Sequence, residues 1–524
     1  MIRIFLSSIL SIIFFLNLPA SPTYTNTDWS NSGATIPTLS NAKTISILDF
    51  GGKADNNTDN SIALQNAIKS AEGKPTIINI PSGNYTFKKT INIPSNIILK
   101  GAGSDKTILQ FNLNGNSDLI SIQGNLVNNV SSPIISGSNK GSKSIKVKSV
   151  DNFFVGDFIQ IKQTANHLLA SDWAYNYFFQ IVRITKINGN EITFENPLRL
   201  DFQLSNNPIV QKINPVQNVG IESLKIKRID ASSSQTSNIF FNYAVNCWIS
   251  GVESESTNYA HITLQSTAFT TISGNYIHDA FNYGDGGKGY GIVLQFGSSD
   301  NFIFDNIAKH LRHSFLLQAT SNGNIIAYNY SYDPYWTQGF FPTNSAGDIV
   351  LHGNFPYANL LEGNIIQNLV IDNSHGINGP DNTFFRNRIE NYGIVMNGNS
   401  GNDMNFIANE ITGSGFLKGL YSLSGNQTEI ANNIKGSAQN GSVIENSLIN
   451  KNYNSKIGVP NIYNSWTNDA HNRNNKTIKT IVKNTSKPAT PLVDKEEKKD
   501  SNLVQPTKEK KKKTCKLKCK KKKK

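Results

Sequence analysis

The chain is 524 residues long, 38% hydrophobic and 17% charged, with a formal net charge of +13 and three cysteines. So few cysteines exclude a disulfide framework in a chain of this size, and nothing after residue 20 is apolar enough to form a ~20-residue membrane span. Fifteen lysines against five acidic residues in 494–524 supply +10 of the charge, so the body is nearly neutral and has no general pull on nucleic acid.

Residues 1–20 join Arg3, an apolar run from Ile4 to Leu16 and the small Ala20, the pattern of a secretory signal peptide. The expected location is therefore the periplasm, the cell surface or the medium. A linker is expected over 21–44. From 45 to 140 the expectation is an N-terminal cap and first coils. Here Ile45 to Ile68 reads ISILDFGGKADNNTDNSIALQNAI, a strand, a Gly-Gly turn and an Asn/Asp-rich loop leading into a helix. Thr58 or Asp59 caps that helix, and Ile62, Leu64, Ala67, Ile68 and Ala71 form its apolar stripe. A helix at this place plugs the open end of a stacked-strand core, which would otherwise expose bare edges.

The motifs Asp49-Phe50-Gly51-Gly52, Asn57-Thr58-Asp59-Asn60, Ala63-Leu64-Gln65, Pro81-Ser82-Gly83-Asn84-Tyr85 and Gly101-Ala102-Gly103 resemble the start of the pectate-lyase-like superfamily. More narrowly, they are similar to its rhamnogalacturonase-like and epimerase-like branch. The chain departs from the family pattern at Ala54-Asp55-Asn56, where GDG is usual, and at Asn60, where a second Asp is usual; both shape a cap turn. The resemblance covers about residues 45 to 110 directly. It implies a right-handed parallel β-helix, and it leaves activity open, because the superfamily includes lyases, hydrolases, epimerases and phage tailspikes.

Over 141–212 four alternating segments, SIKVKSV, FVGDFIQIK, QIVRITKI and NEITFENPL, predict a small antiparallel β insertion. Its loop carries Trp173, Tyr175, Tyr177, Phe178 and Phe179, rings that stack on sugars or pack against a neighbouring body.

Over 213–465 an asparagine recurs in apolar-x-x-Asn-x-apolar strings at 275, 306, 329, 364, 387, 409 and 432, at intervals of 31, 23, 35, 23, 22 and 23. Such a period marks a solenoid of short strands, one coil per repeat. The fold expected is thus all-β, a parallel β-helix with a capping helix, an antiparallel insertion and a disordered basic tail. Each asparagine is expected to occupy the left-handed bend between strands and to hydrogen-bond its neighbour along the axis.

The strands before the asparagines align as HITLQ, GIVLQ, SFLLQ and DIVLH. Alternation sends Ile262, Leu264, Ile292, Leu294, Phe315, Leu317, Ile349 and Leu351 inward. It displays His261, Gly291, Ser314 and Asp348, then Gln265, Gln295, Gln318 and His352, as an outward row fit for a polysaccharide. Val293, Leu316 and Val350 form an apolar stripe on the same face. The two long intervals place wall loops beside this row. Substrate contacts are expected from His261, Gln265, His278, Gln295, Gln318, Asp348, His352 and His375. Chemistry is expected from Arg312, His313, Lys288, Tyr290, Asp285 and Asp279. One histidine alone is ordinarily a structural hydrogen bond; the grouping is what points to a site.

These residue types fit β-elimination of an acidic, uronate-containing polysaccharide. Arg312 neutralises the sugar carboxylate, and His313, Tyr290 or Lys288 serves as base or acid. Ca²⁺ on Asp279 and Asp285 is an optional replacement for the arginine, although no dense acidic calcium motif is present and no metal ligand is assigned. A glycoside hydrolase pairing two of Asp279, Asp285, Asp333 and Asp348 is the alternative, and a glycan-binding surface protein without catalysis is a third reading. The lysine-rich tail, within 466–524, is expected to stay disordered and to bind an anionic cell-surface polymer. Cys247 is expected in the core, with Cys515 and Cys519 in the tail.

Overall fold

A computed structural model describes residues 27–36, 42–284, 286–337, 342–441 and 447–449. The signal-peptide and lysine-tail readings, Asp285, Cys515 and Cys519 fall outside the described residues. The repeat builds three parallel ladders around one apolar core. The first is a twelve-stranded sheet running from Lys43–Ser46 to Thr428–Ile430. A second passes through Lys225–Arg228, Glu253–Glu255, Tyr276–His278 and Ile307–Lys309. The third passes through Ala260–Gln265, Tyr290–Gln295, His313–Leu317 and Ile349–Leu351. Ile365–Ile371 and Arg388–Met396 run through both the second and third ladders. This is the right-handed parallel β-helix that the repeat implied. All eight residues expected to point inward from the four aligned strands lie in the main core, as does Cys247.

The asparagine ladder is continuous. Nδ2 of Asn275 donates to Asn306 Oδ1 at 2.9 Å, and the same bond links 306 to 329, 329 to 364, 364 to 387, 387 to 409 and 409 to 432 at 2.9–3.0 Å. A second ladder, Asn301–Asn324–Asn359–Asn382, runs at 2.9 Å per step and was not read from the sequence. The left-handed residue is the one before each ladder asparagine: Gly274, Asp305, Tyr328, Gly363, Arg386, Ala408 and Ala431 have φ between 52° and 66°. The asparagine itself has no positive φ, and from Asn275 to Asn409 both its backbone and side-chain N–H reach one neighbouring oxygen.

The helix Ser61–Lys69 buries Ala63, Leu64, Ala67 and Ile68 against the first coils, while Ile62 is 61% exposed and is not part of the stripe. Its N-cap is Asn60, whose side chain makes no cap bond; Asp59 instead accepts the Ser61 backbone N–H at 3.0 Å. Residues 27–36 are not a free linker. Trp29 is buried on the outer face of the first sheet and donates to the Ala358 carbonyl at 2.9 Å.

The insertion is a closed six-stranded antiparallel barrel, wider than expected. It adds Asn125–Ser136 and Ile209–Asn214 to the four expected strands, because these two pair with each other and close the ring. The barrel docks on the corner after the third ladder. Arg199 makes a bidentate ion pair with Asp300, the Ser299 hydroxyl accepts the Ile181 N–H at 3.2 Å, and Asn322 donates to the Phe179 carbonyl at 3.2 Å.

Candidate functional site

The outer face of the third ladder is a groove. One part, about 870 Å³, is lined by Thr263, Gln265, Gln295, Gln318, Tyr290 and Trp173; the next, about 450 Å³, by Trp336, Val350, Val370, Asp372 and Val395. Arg312, His352 and Ser374 border both, so the two parts are continuous. The barrel loop forms one wall: Trp173 packs edge-on against Phe296 and His375, with centroids 5.8 and 5.2 Å apart. Opposite lie the loops after Asn275 and Asn329, which contribute Gly286, Gly287 and Trp336.

Gln265, Gln295 and Gln318 stack as expected, with Gln318 Nε2 donating to Gln295 Oε1 at 2.8 Å. Arg312 lies between aromatic faces, its Cζ 5.7 Å from the Tyr290 centroid and 5.2 Å from that of Trp336, and it donates to the Gly284 carbonyl. Rings then follow one another along the floor: Tyr290 to His313 at 5.0 Å, His313 to His352 at 6.1 Å and His352 to His375 at 4.8 Å. His313 Nδ1 donates to the Gly347 carbonyl at 3.0 Å, which leaves Nε2 as an acceptor. Burial, with Arg312 and His352 adding repulsion, pushes its pKa down to about 3, so it is neutral at neutral pH. His352 Nδ1 donates to Asp372 Oδ2 at 2.6 Å, and Ser374 Oγ to Asp372 Oδ1 at 2.7 Å. Burial works to raise the Asp372 pKa, but these bonds and the His352 charge hold it below the ordinary value. The second carboxylate facing the groove is Asp118, which accepts the Ser237 N–H at 2.6 Å and whose pKa burial raises. Lys288 sits on the wall loop, half-buried.

Four expected site residues lie elsewhere. His261 and Asp348 are 0% exposed and face the interior, because alternation breaks at the sheet corner. His261 Nδ1 accepts from Ser254 Oγ at 2.8 Å while Nε2 donates to the Asp279 carbonyl at 2.9 Å. Asp348 accepts from Ser331 Oγ at 2.7 Å and from the backbone N–H of Gln367 and Asn368. Gly291 shares this crowded column; a Cβ there would lie 2.3 Å from the Ser314 carbonyl oxygen. The outward column that replaces it is Ala260, Tyr290 and His313. His278 and Asp279 belong to the second ladder and its turn, where His278 bridges Asp279 at 2.8 Å and Glu253 at 3.2 Å. Burial opposes protonation of His278, yet those two carboxylates raise its pKa.

Among the described residues, the group with metal-ligating spacing is Glu253, Glu255 and His278, whose ligand atoms lie within 4.8 Å of one another. Lys225 already pairs with both glutamates there and Lys227 with Glu255, so the negative charge is matched from within. Asp372, Asp118 and Trp336 were missed in the sequence. For Asp372 a signal exists: carrying the Gln265–Gln295–Gln318–His352 column one coil further, to NLVID, ends on it.

Residues 44–156 match the family model described as rhamnogalacturonase A/epimerase, pectate lyase-like. The capsule K1-specific depolymerase of Klebsiella phage K64-1 is 26% identical over 148 residues, 28% of this chain and 16% of the depolymerase. The pre-neck appendage protein of Bacillus phage B103 is 36% identical over 67 residues, 13% of this chain and 7% of that protein. The tailspike protein gp49 of Pseudomonas phage LKA1 is similar in fold, with a TM-score of 0.52 at 17% identity over 70% of this chain and 64% of that one. The chain therefore spans less than two thirds of each of these proteins. Residues 44–156 are thus similar to the rhamnogalacturonase A/epimerase, pectate lyase-like family, and the coils that follow share the right-handed parallel β-helix fold of the gp49 tailspike.

Proposed function

We propose that the chain is an exported carbohydrate-active protein that binds an acidic polysaccharide in the groove and cleaves it by β-elimination. The observation that carries this reading is the placement of Arg312 beside the His352–Asp372 pair on one groove floor. The guanidinium neutralises a uronate carboxylate and so acidifies the neighbouring C–H. Asp372 holds the proton of His352 on Nδ1, leaving Nε2 to take that hydrogen. The C–H electron pair becomes the new C=C bond, the glycosidic C–O bond breaks, and the leaving oxygen takes a proton from the Tyr290 hydroxyl. His313, neutral and packed between Tyr290 and His352, excludes water and keeps both rings in place.

The depolymerase similarity supports a polysaccharide partner and an extracellular setting. Of the carboxylates that a hydrolase was expected to pair, the three among the described residues do not favour hydrolysis: Asp348 is buried, and Asp279 and Asp333 hold His278 and His310 on the second ladder. A hydrolase would have to draw on Asp118, whose raised pKa suits an acid, together with Asp372. With Arg312 supplying the positive charge, the mechanism needs no Ca²⁺.

The test is incubation with a panel of acidic polysaccharides, reading unsaturated uronate absorbance and reducing ends separately. Absorbance and reducing ends rising together are expected, and Arg312→Ala lowers the rate about 100- to 1000-fold. Reducing ends without absorbance would establish hydrolysis instead. Binding without either would leave the non-catalytic reading.

A further inference from the structure

The groove changes character along its length. On the Gln265 side its floor is a ladder of amides, and past Arg312 that column continues as His352, Asp372 and Asn397; beside it the outward Val350, Val370 and Val395, joined by Leu417, Leu420 and Trp336, make the floor apolar. The loop that brings in Leu417 also leaves Phe416 90% exposed, the most exposed large hydrophobic side chain among the described residues. A sugar bearing only hydroxyls would lose water against this floor and gain no hydrogen bond in return. Arg312, the permanently charged cation among the residues lining this part, stands at its inner end, so a second carboxylate at the far end would meet no countercharge. At the rim the exposed Asn373 and Asn397 offer amide donors and acceptors.

Resting on the reading of the groove as a polysaccharide site, we infer that this apolar pocket of about 450 Å³ is a subsite for an N-acetylated sugar adjoining the acidic one. The acetamido methyl lies on the valines while its N–H and C=O face the rim asparagines. Val350 to Val395 spans two strand spacings, roughly 10 Å, enough for one sugar ring and its substituent. The substrate class is thereby an acidic polysaccharide with acetamido sugars, read asymmetrically about the cleaved bond.

The test titrates the full chain, methyl-labelled at valine and leucine, with N-acetylglucosamine, glucose, glucuronate and a 6-deoxyhexose, followed by NMR. Val370, Val395 and Leu417 methyl signals are expected to shift with N-acetylglucosamine, which binds at least about fourfold more tightly than glucose, the fold-change of burying one methyl group. Leu417→Asn, on a surface loop, and Val370→Asn should each remove that preference. Equal binding of glucose or the 6-deoxyhexose, shifts confined elsewhere, or no shift with any of the four overturns the inference. Unsaturated products without the N-acetyl preference would remove this inference alone; the preference without such products would remove only the lyase reading.

Discussion

Each ladder asparagine serves two neighbours at once, so its deletion costs more than one hydrogen bond. Asn364 Oδ1 accepts from both the backbone N–H and Nδ2 of Asn329, at 3.0 Å each, and its own Nδ2 donates to Asn387 and to the Ile326 carbonyl at 2.9 Å. Asn364→Ala strands these buried groups and should destabilise by about 3 kcal/mol. The urea midpoint measures this, with Asn373→Ala, an exposed control, within about 0.5 kcal/mol of the parent. The buried corner predicts a pH dependence. His261 has its pKa pushed down to about 3 by burial, with His278 adding repulsion. The folded value lies below the unfolded one, so the unfolded chain takes up the proton first and stability falls as pH drops below about 6.5. Asp348 has the opposite sign: burial raises its carboxyl to about 6, and its contribution is lost as pH rises through that value. His261→Gln keeps one acceptor for Ser254 and one donor for the Asp279 carbonyl while removing the titration. The variant should therefore lose about 2 kcal/mol less than the parent between pH 7 and 5, read from unfolding curves at the two pH values. The inward apolar residues were legible because alternation holds within a strand. His261 and Asp348 were misread because alternation breaks where the coil turns, and no residue type in HITLQ or DIVLH marks that point.

Among the elements, the barrel decides whether the third ladder is an open sheet or a groove. Four of its six strands were legible as alternating segments. Asn125–Ser136 was not, since NLVNNVSSPIIS buries no residue along its first half and shows no clean alternation there, and pairing with Ile209–Asn214 is what makes it a strand. Docking depends on Arg199, 3% exposed, whose guanidinium meets Asp300 and, at 3.3 Å, Asn322 Oδ1. Arg199→Ala leaves buried acceptors without that cation and should cost about 3–5 kcal/mol. The same change loosens the wall that presents Trp173, so Trp173 fluorescence and protease sensitivity near residue 170 should change before the coils unfold. Simultaneous loss of both would contradict barrel docking as a separate step.

At the scale of the whole molecule, the period of the asparagines was a reliable guide to the fold because a ladder bond requires the same residue at the same place in every coil. It guided the site less well. The interval lengths located the wall loops and the coil of Arg312 and His313, but sequence order alone could not tell which of three faces a side chain joins, and His278 and Asp279 went to a different face from Gln265. The groove that results is continuous, asymmetric and centred on Arg312, with the carboxylate beside it committed to His352. The most direct measurement of this account is the mass of oligosaccharides released from an acidic polysaccharide by the parent chain and by Arg312→Ala. The account predicts fragments one water lighter than hydrolysis products, nearly absent with the variant. Fragments of full hydrolytic mass, or release unchanged by Arg312→Ala, would contradict it.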